Sequence, residues 1–450
     1  MMVQNIMLIN KVKYIIKDKD TLTLWMNNLL VLYSFMLPIS QTIKSTIFTL
    51  IVGLFLVRGN VLKIIKESLE NKIVRAFIYF FLIYVLGLLW SDNISEGLYA
   101  VKSIKYGLYL IVFYAIIDGR YINKVIGSFI LGMFISELVS YGILLGVMPW
   151  RLEIGDVLFY ATPNIGDPSP FLNHIHYGVA LSFTVILLGQ KIYYSKSSLV
   201  IKLLMSIFVL SATANIFITG GRTGYITFIL LVITLVIFYL KRWALLGLLF
   251  LALVLGIAYN SSDVFHSKVI QTQNSIVKLF SKDADFSTSL GVRAGMYYFG
   301  AKVIENNPIL GAGTGDSIQA IQDIAPHKYT RLREHMSHEH NQFLSTFVKL
   351  GIIGLLIFLN IYYQIFKFKQ EDKELRFIMV FSTLAIGFGI LTTQFNLRFF
   401  MPLWVVMLAV TMVSKERRTI MHTLNDKNIL FQIIGVGAFF GFFRLFIQLF

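Results

Sequence analysis

Residues 224–259 read GYITFILLVITLVIFYLKRWALLGLLFLALVLGIAY. Two apolar runs, 224–240 and 243–259, flank a Lys241-Arg242 pair, and no other charge interrupts them. Each is close to the ~20 residues that carry a helix across the hydrocarbon core of a bilayer. The runs are continuous rather than alternating with period two, which excludes a membrane β-barrel. A helix satisfies its own backbone hydrogen bonds in lipid and remains as the solution.

The pattern extends to both sides. Comparable runs lie at 24–40, 43–57, 76–90, 98–117, 125–147, 173–189 and 203–219 before it, and at 343–366, 377–393 and 399–414 after it. Only 14% of the 450 residues are charged and 56% are hydrophobic, against about 25% charged in a soluble domain. The predicted fold is therefore all-α, a polytopic membrane protein of about 12 transmembrane helices. Spans 1–9 occupy 1–259 and include a proline-rich loop at 148–172. A large hydrophilic helical segment at 260–342 separates spans 9 and 10. Spans 10–12 and a hydrophobic C-terminal stretch at 429–450, which contains Arg444, fill 343–450. Lys11, Lys13, Lys17 and Lys19 precede the first run without a small-residue cleavage site after it, so that run is read as a retained span rather than a signal peptide.

The formal charge of +16 would suggest nucleic acid in a soluble protein. Here it follows from topology. With the N-terminus cytoplasmic, 24 of the 40 Lys and Arg fall in inside loops, and the short outside loops hold only Lys44, Lys102, Lys105, Arg151, Arg222 and Arg398. The bias puts 260–342 outside. Within it, Ser289–Ile304 reads as an amphipathic helix ended by Asn306-Asn307-Pro308, because proline cannot continue it. Gly311-Ala312-Gly313-Thr314-Gly315 reads as a flexible turn, and Asp316–Ile324 as a second short helix. No inside segment is long enough for a nucleotide-binding fold, no GxxxxGK[ST] is present, and the absence of cysteine excludes thiolate chemistry. Any substrate is expected to be membrane-borne and met on the outer side.

Seven of the eight histidines, all but His422, map to that side: His174, His176, His266, His327, His335, His338 and His340. Three of them crowd just before span 10. Histidine suits proton transfer near neutral pH. His-x-x-His-x-His with Glu334 and Glu339 is also a conceivable metal set, although its spacing matches no zinc signature and a helix would point His338 and His340 apart. Arg222 in Gly220-Gly221-Arg222-Thr223-Gly224 and Arg293 in Gly291-Val292-Arg293-Ala294-Gly295 are the second signal. Arginine grips phosphate bidentately, and glycine lets the backbone come close to a ligand. The alternative is a pair of arginines snorkelling to lipid headgroups. Charges inside spans are sparse, Glu137 and Lys349 being the clearest. A coupled transporter usually needs more.

His340-Asn341, nine residues, Gly351, two residues, Gly354 resembles the His-Asn-x9-Gly-x-x-Gly signature of the O-antigen ligase family, within the wider ligase/polymerase superfamily. The stretch from Arg293 to Pro308-Ile309-Leu310-Gly311-Ala312-Gly313 is similar to the segment upstream of that histidine, and Gly-Gly-Arg-Thr-Gly also fits. The likeness covers roughly 205–355. It departs at Lys349, where relatives often carry an acid. The resemblance implies an inverting glycosyltransferase without cofactor or metal, which moves polysaccharide from undecaprenyl pyrophosphate to a sugar hydroxyl of lipid A–core. It implies the periplasmic face of a Gram-negative inner membrane, with membrane lipids around the protein and no nucleic-acid partner. His340 would be the general base, Arg222 and Arg293 would hold the pyrophosphate, and His338, Asn341, Arg398 and Gly221 would lie around the substrates. A polymerase of the same superfamily tends to carry Arg-x15-Gly loops. The residue 16 after Arg222 is Phe238 and after Arg293 is Ile309, so the ligase reading is preferred. A lipid-linked saccharide flippase is the rival of another class.

Overall fold

The computed structural model describes residues 19–154, 157–162, 167–281, 286–334, 336–395 and 399–413. The tail at 429–450, Arg398, His335 and His422 lie outside the described residues.

The described residues open with α1 (Lys19–Met36), α2 (Gln41–Arg58), α3 (Val61–Leu69), α4 (Lys72–Leu86), α5 (Ile94–Ile104), α6 (Tyr109–Ile116) and α7 (Ile122–Leu144). The loop expected at 148–172 contains an antiparallel hairpin, β1 (Arg151–Ile154) and β2 (Val157–Ala161), with Arg151 opposite Ala161. Then come α8 (His174–Tyr194), α9 (Leu199–Ile218), α10 (Arg222–Leu235), α11 (Ala244–Ser261), α12 (Asp263–Leu279), α13 (Ser289–Asn306), α14 (Ser317–Ile324), α15 (Thr330–Glu334), α16 (Gln342–Lys367), α17 (Lys373–Gly389) and α18 (Phe400–Thr411).

The protein is a multi-pass, all-α membrane protein. Among the described residues, eight helices are long and apolar enough to cross a bilayer, fewer than the twelve runs expected. The difference has identifiable sources. The runs at 24–40, 377–393 and 399–414 fall on α1, α17 and α18, which are too polar or too short to qualify alone. Two expected spans merge into one continuous helical stretch, Arg222–Ser261. That stretch nevertheless reverses at Lys241, whose backbone is left-handed at φ 42°. A Cβ on Gly247 would sit 2.7 Å from the Val236 side chain. In a straight helix those residues would be about 16 Å apart, so α10 and α11 form a hairpin closed by Lys241-Arg242.

Burial sorts the helices. Every residue of α18 is buried, including Trp404, and α8 is largely enclosed. These two form the centre. Leu203, Leu204, Ile207 and Leu210 of α9 and Leu245, Leu246, Leu249 and Phe250 of α11 are exposed. A contiguous apolar surface of this kind is untenable in water and ordinary against lipid. α8 and α10 cross so closely that a Cβ on Gly224 would lie 2.7 Å from Gly178 Cα, which is why small residues stand at both positions.

Residues 308–313 correct the expectation of a flexible turn. They dock on α16. Ala312 N–H donates to Val348 O (2.8 Å), Gly313 N–H to Lys349 O (3.0 Å) and Ile352 N–H to Pro308 O (2.9 Å). The docking is possible because α16 is broken at Gly351, at φ 61° and ψ −161°. The break frees helix carbonyls, and the 308–313 segment satisfies them.

Candidate functional site

The segment Ser337–Asn341 runs without helix into α16. Asn341 is the N-cap of that helix. Its side-chain oxygen accepts from Leu344 N (3.0 Å), and its amide donates to Leu391 O (3.1 Å) and meets the Tyr297 hydroxyl. On the other side of His340, Glu339 is fully buried. Its carboxylate accepts from Lys349 Nζ (2.7 Å) and Ser317 Oγ (2.5 Å), and it also meets the Gln394 amide. His340 between these anchors adopts φ 55°, a left-handed conformation that a non-glycine residue keeps only when its surroundings impose it. Glu339, read from sequence as a conceivable metal ligand, is thus occupied as an anchor.

Because 338–340 is not helical, the expected divergence of the two histidines does not occur. The rings of His338 and His340 lie 4.0 Å apart between centroids. Among the described residues no group of three or more His, Asp or Glu side chains is placed to hold a metal. His340 Nδ1 is buried without a hydrogen-bond partner, so the ring is aimed by its backbone rather than by a neighbouring acceptor.

The arginines arrive from separate elements. Arg222 opens α10 after the N-cap Gly221, and its Nη2 donates to Gln271 Oε1 of α12 (3.1 Å). Arg293 sits in the first turns of α13, and its Nη1 donates to Ser289 O (3.2 Å) and Ser289 Oγ (3.1 Å). The Nε of each is buried and unpartnered. Burial, and then the Arg222 charge, pull the Arg293 guanidinium below its usual pKa, so the two cations lie within electrostatic reach of one another. Burial, then His338, then Arg293 push the His340 imidazole down to about 3. Burial likewise lowers His338. Both rings are therefore neutral at pH 7, within electrostatic reach of Arg293.

Gly221 has a packing reason for being glycine. A Cβ there would stand 2.6 Å from the carbonyl oxygen of His174, at the start of α8. His174 in turn pairs with Asp167 (Nδ1 to Oδ2, 2.9 Å). His176 is buried against Phe399 and Phe400, away from the histidine pair.

Sequence reading missed the loop that holds these parts together. Residues 390–395 accept from Gln342 N at Ile390 O (2.9 Å), from Asn341 at Leu391 O, and tie Thr392 Oγ1 to Thr223 Oγ1 (2.5 Å). Phe395 N–H closes the loop on Gln342 Oε1 (3.0 Å). Nothing local in Leu391-Thr392-Thr393-Gln394 signals this, because every partner is distant in sequence.

Residues 206–359 match a family model described as O-Antigen ligase. Over this third of its length the chain is similar to the O-antigen ligase family. The match supports a transferase role of the ligase/polymerase type. No curated protein matches the chain. The matched segment contains both arginines, both site histidines, Glu339, Asn341, Lys349 and Gly351. The 390–395 loop that ties Asn341, Gln342 and Thr223 together lies outside it.

Proposed function

We propose that the protein is an O-antigen ligase. It takes polysaccharide from undecaprenyl pyrophosphate and joins it to a sugar hydroxyl of lipid A–core, at the periplasmic face of a Gram-negative inner membrane. The observation that carries this reading is that Arg293 lies within electrostatic reach of both Arg222 and the neutral His340, while the Nε of each arginine is buried and unpartnered. Two arginines within electrostatic reach of one another suit a dianion.

In this reading Arg222 and Arg293 bind the pyrophosphate and stabilise the charge that grows on it as the bond to the sugar breaks. His340 accepts the proton of the acceptor hydroxyl while the oxygen attacks the anomeric carbon. The electron pair of the C–O bond leaves with the pyrophosphate, and displacement in one step inverts the centre. General-base help of this kind is typically worth ~10²–10⁴-fold. The order of binding matters to the proton. A dianion on the arginines cancels part of the field that depresses His340, so donor binding raises the basicity of the imidazole. His338 lies tilted against His340 and shares its environment. Asn341 holds the backbone of the base in place, and Gly221 lets α10 reach the site. Arg398 is proposed as a further contact to substrate.

The test is lipopolysaccharide banding in cells lacking the protein, complemented with wild type, His340→Ala, Arg222→Ala or Arg293→Ala at matched expression. The expected result is loss of the ladder with long polymer retained on undecaprenyl pyrophosphate. Lipopolysaccharide carrying a single repeat would mean polymerase. A normal ladder from His340→Ala would sink the mechanism.

A further inference from the structure

A second space lies beside His338, and neither site arginine lines it. It is a half-open cavity of about 550 Å³, within the roughly 300–1,000 Å³ of small-molecule sites. One wall is a single face of α5, where Glu96, Tyr99 and Ser103 recur at helical spacing. The opposite wall is Gln319 and Gln322 of α14, and His338 forms the lip. The walls are latched at one end, since Asp316 accepts from the backbone N–H of Asp92 (2.9 Å) and Asn93 (2.7 Å). The chamber is therefore built into the fold.

Its chemistry differs from that of the arginine site. The single cation at its floor, Lys349, is already paired with the buried Glu339. Neither Arg222 nor Arg293 lines it, and Glu96 adds a negative charge. A pyrophosphate has nothing to hold it there. Amides, hydroxyls and the Tyr99 ring instead match the hydroxyls and apolar faces of neutral sugars. Ile94 and Leu98 of the same α5 helix, with Leu89 just before it, are exposed apolar residues. That side of the chamber wall suits contact with lipid, so a headgroup tethered to the membrane reaches the chamber sideways.

We infer that this chamber is the acceptor subsite, which binds the terminal neutral sugars of the membrane-anchored acceptor. It rests on the ligase reading. Donor pyrophosphate occupies the arginines, the acceptor saccharide occupies the α5–α14 chamber, and the two meet across His338 and His340.

Two experiments test it. The first uses full-length protein in lipid nanodiscs with lipid-linked polysaccharide and lipid A–core. Gln319→Trp and Ser103→Trp fill the chamber. Each should raise the acceptor KM roughly tenfold or more while the donor KM stays within about twofold. An unchanged acceptor KM in both variants, or a rise confined to the donor KM, overturns the proposal. Gln319→Ala, which leaves no bulk, should give a smaller shift of the same kind and guards against misfolding. The second experiment is independent of turnover. Core oligosaccharide added to wild-type protein should slow amide exchange in 94–104 and 317–322 but not around Arg222. Protection there without any transfer in the first assay would leave a saccharide site and remove the ligase reading. Absence of protection overturns the chamber.

Discussion

Replacing Lys349 by methionine isolates the buried pair that anchors the histidine segment. Glu339 is completely enclosed, and burial alone would raise its carboxyl. The Lys349 charge, with hydrogen bonds from Lys349 and Ser317, overcomes that penalty and holds it at about 2. Lys349→Met leaves the carboxylate buried with two neutral donors. Removing one partner of a buried pair costs about 3–5 kcal/mol, so a loss of that order is expected. Glu339→Gln together with Lys349→Met removes both charges and keeps a polar group for Ser317 and Gln394. That double variant should recover most of the loss. The sign with pH follows from the depressed carboxyl. Its contribution is fully present above the ordinary carboxylate pKa of 4.5 and is lost as pH falls toward about 2. In Lys349→Met this acid dependence should shrink, because the carboxyl no longer titrates below its ordinary value. Unfolding in mixed detergent micelles, titrated with SDS and followed by tryptophan fluorescence, gives the four stabilities of the cycle. A single variant as stable as wild type, or a double variant no better than the single, would refute the claim that this pair secures the segment.

Gly351→Ala should destabilise the same preparation by at least about 1–3 kcal/mol, because φ 61° with ψ −161° is essentially glycine-only and the new Cβ would meet Ile309 O at 2.2 Å. Gly256→Ala, with nothing within 4 Å, should not, and equal stabilities for the two in the SDS titration would contradict the docking. In pH profiles of transfer, kcat/KM for the donor should keep its acid limb well below the usual histidine range, since His340 in the free enzyme is pushed down to about 3 and stays neutral above that. The limb in kcat should lie higher, once donor has offset the arginines, and coincident limbs would contradict that coupling.

What could be read from the sequence is what lives on one helix at a time. The Lys241-Arg242 interruption of 224–259 foretold a reversal, and the left-handed Lys241 supplies it. Pro308 foretold the end of α13, which stops at Asn306. Arg222, Arg293 and His340 stood out because their residue types announce chemistry, and Arg293 lies within electrostatic reach of both Arg222 and His340. What could not be read is pairing across the chain. Lys349 looked like an isolated charge in a span, and Glu339 like a metal ligand, because their meeting depends on α16 starting at Gln342 with 339 already outside it. The polar loop at 390–395 and the hairpin at 151–161 carry no periodic signal of either kind.

The signature of histidine, asparagine and two glycines has a physical reading that links these facts. Asn341 starts α16 by capping it, and Gly351 breaks it ten residues later. Between those points the helix offers Val348 O and Lys349 O to residues 312 and 313, and it aims Lys349 back at Glu339. The 308–313 segment leads directly to Ser317, the other donor to Glu339. The spacing therefore closes a loop of contacts that begins and ends beside His340. Moving the glycine by one residue would turn Lys349 about 100° around the helix relative to the docking site and leave Glu339 without its cation. The conformation of His340 is then a consequence of a break placed ten residues away, and the spacing matters as much as the histidine.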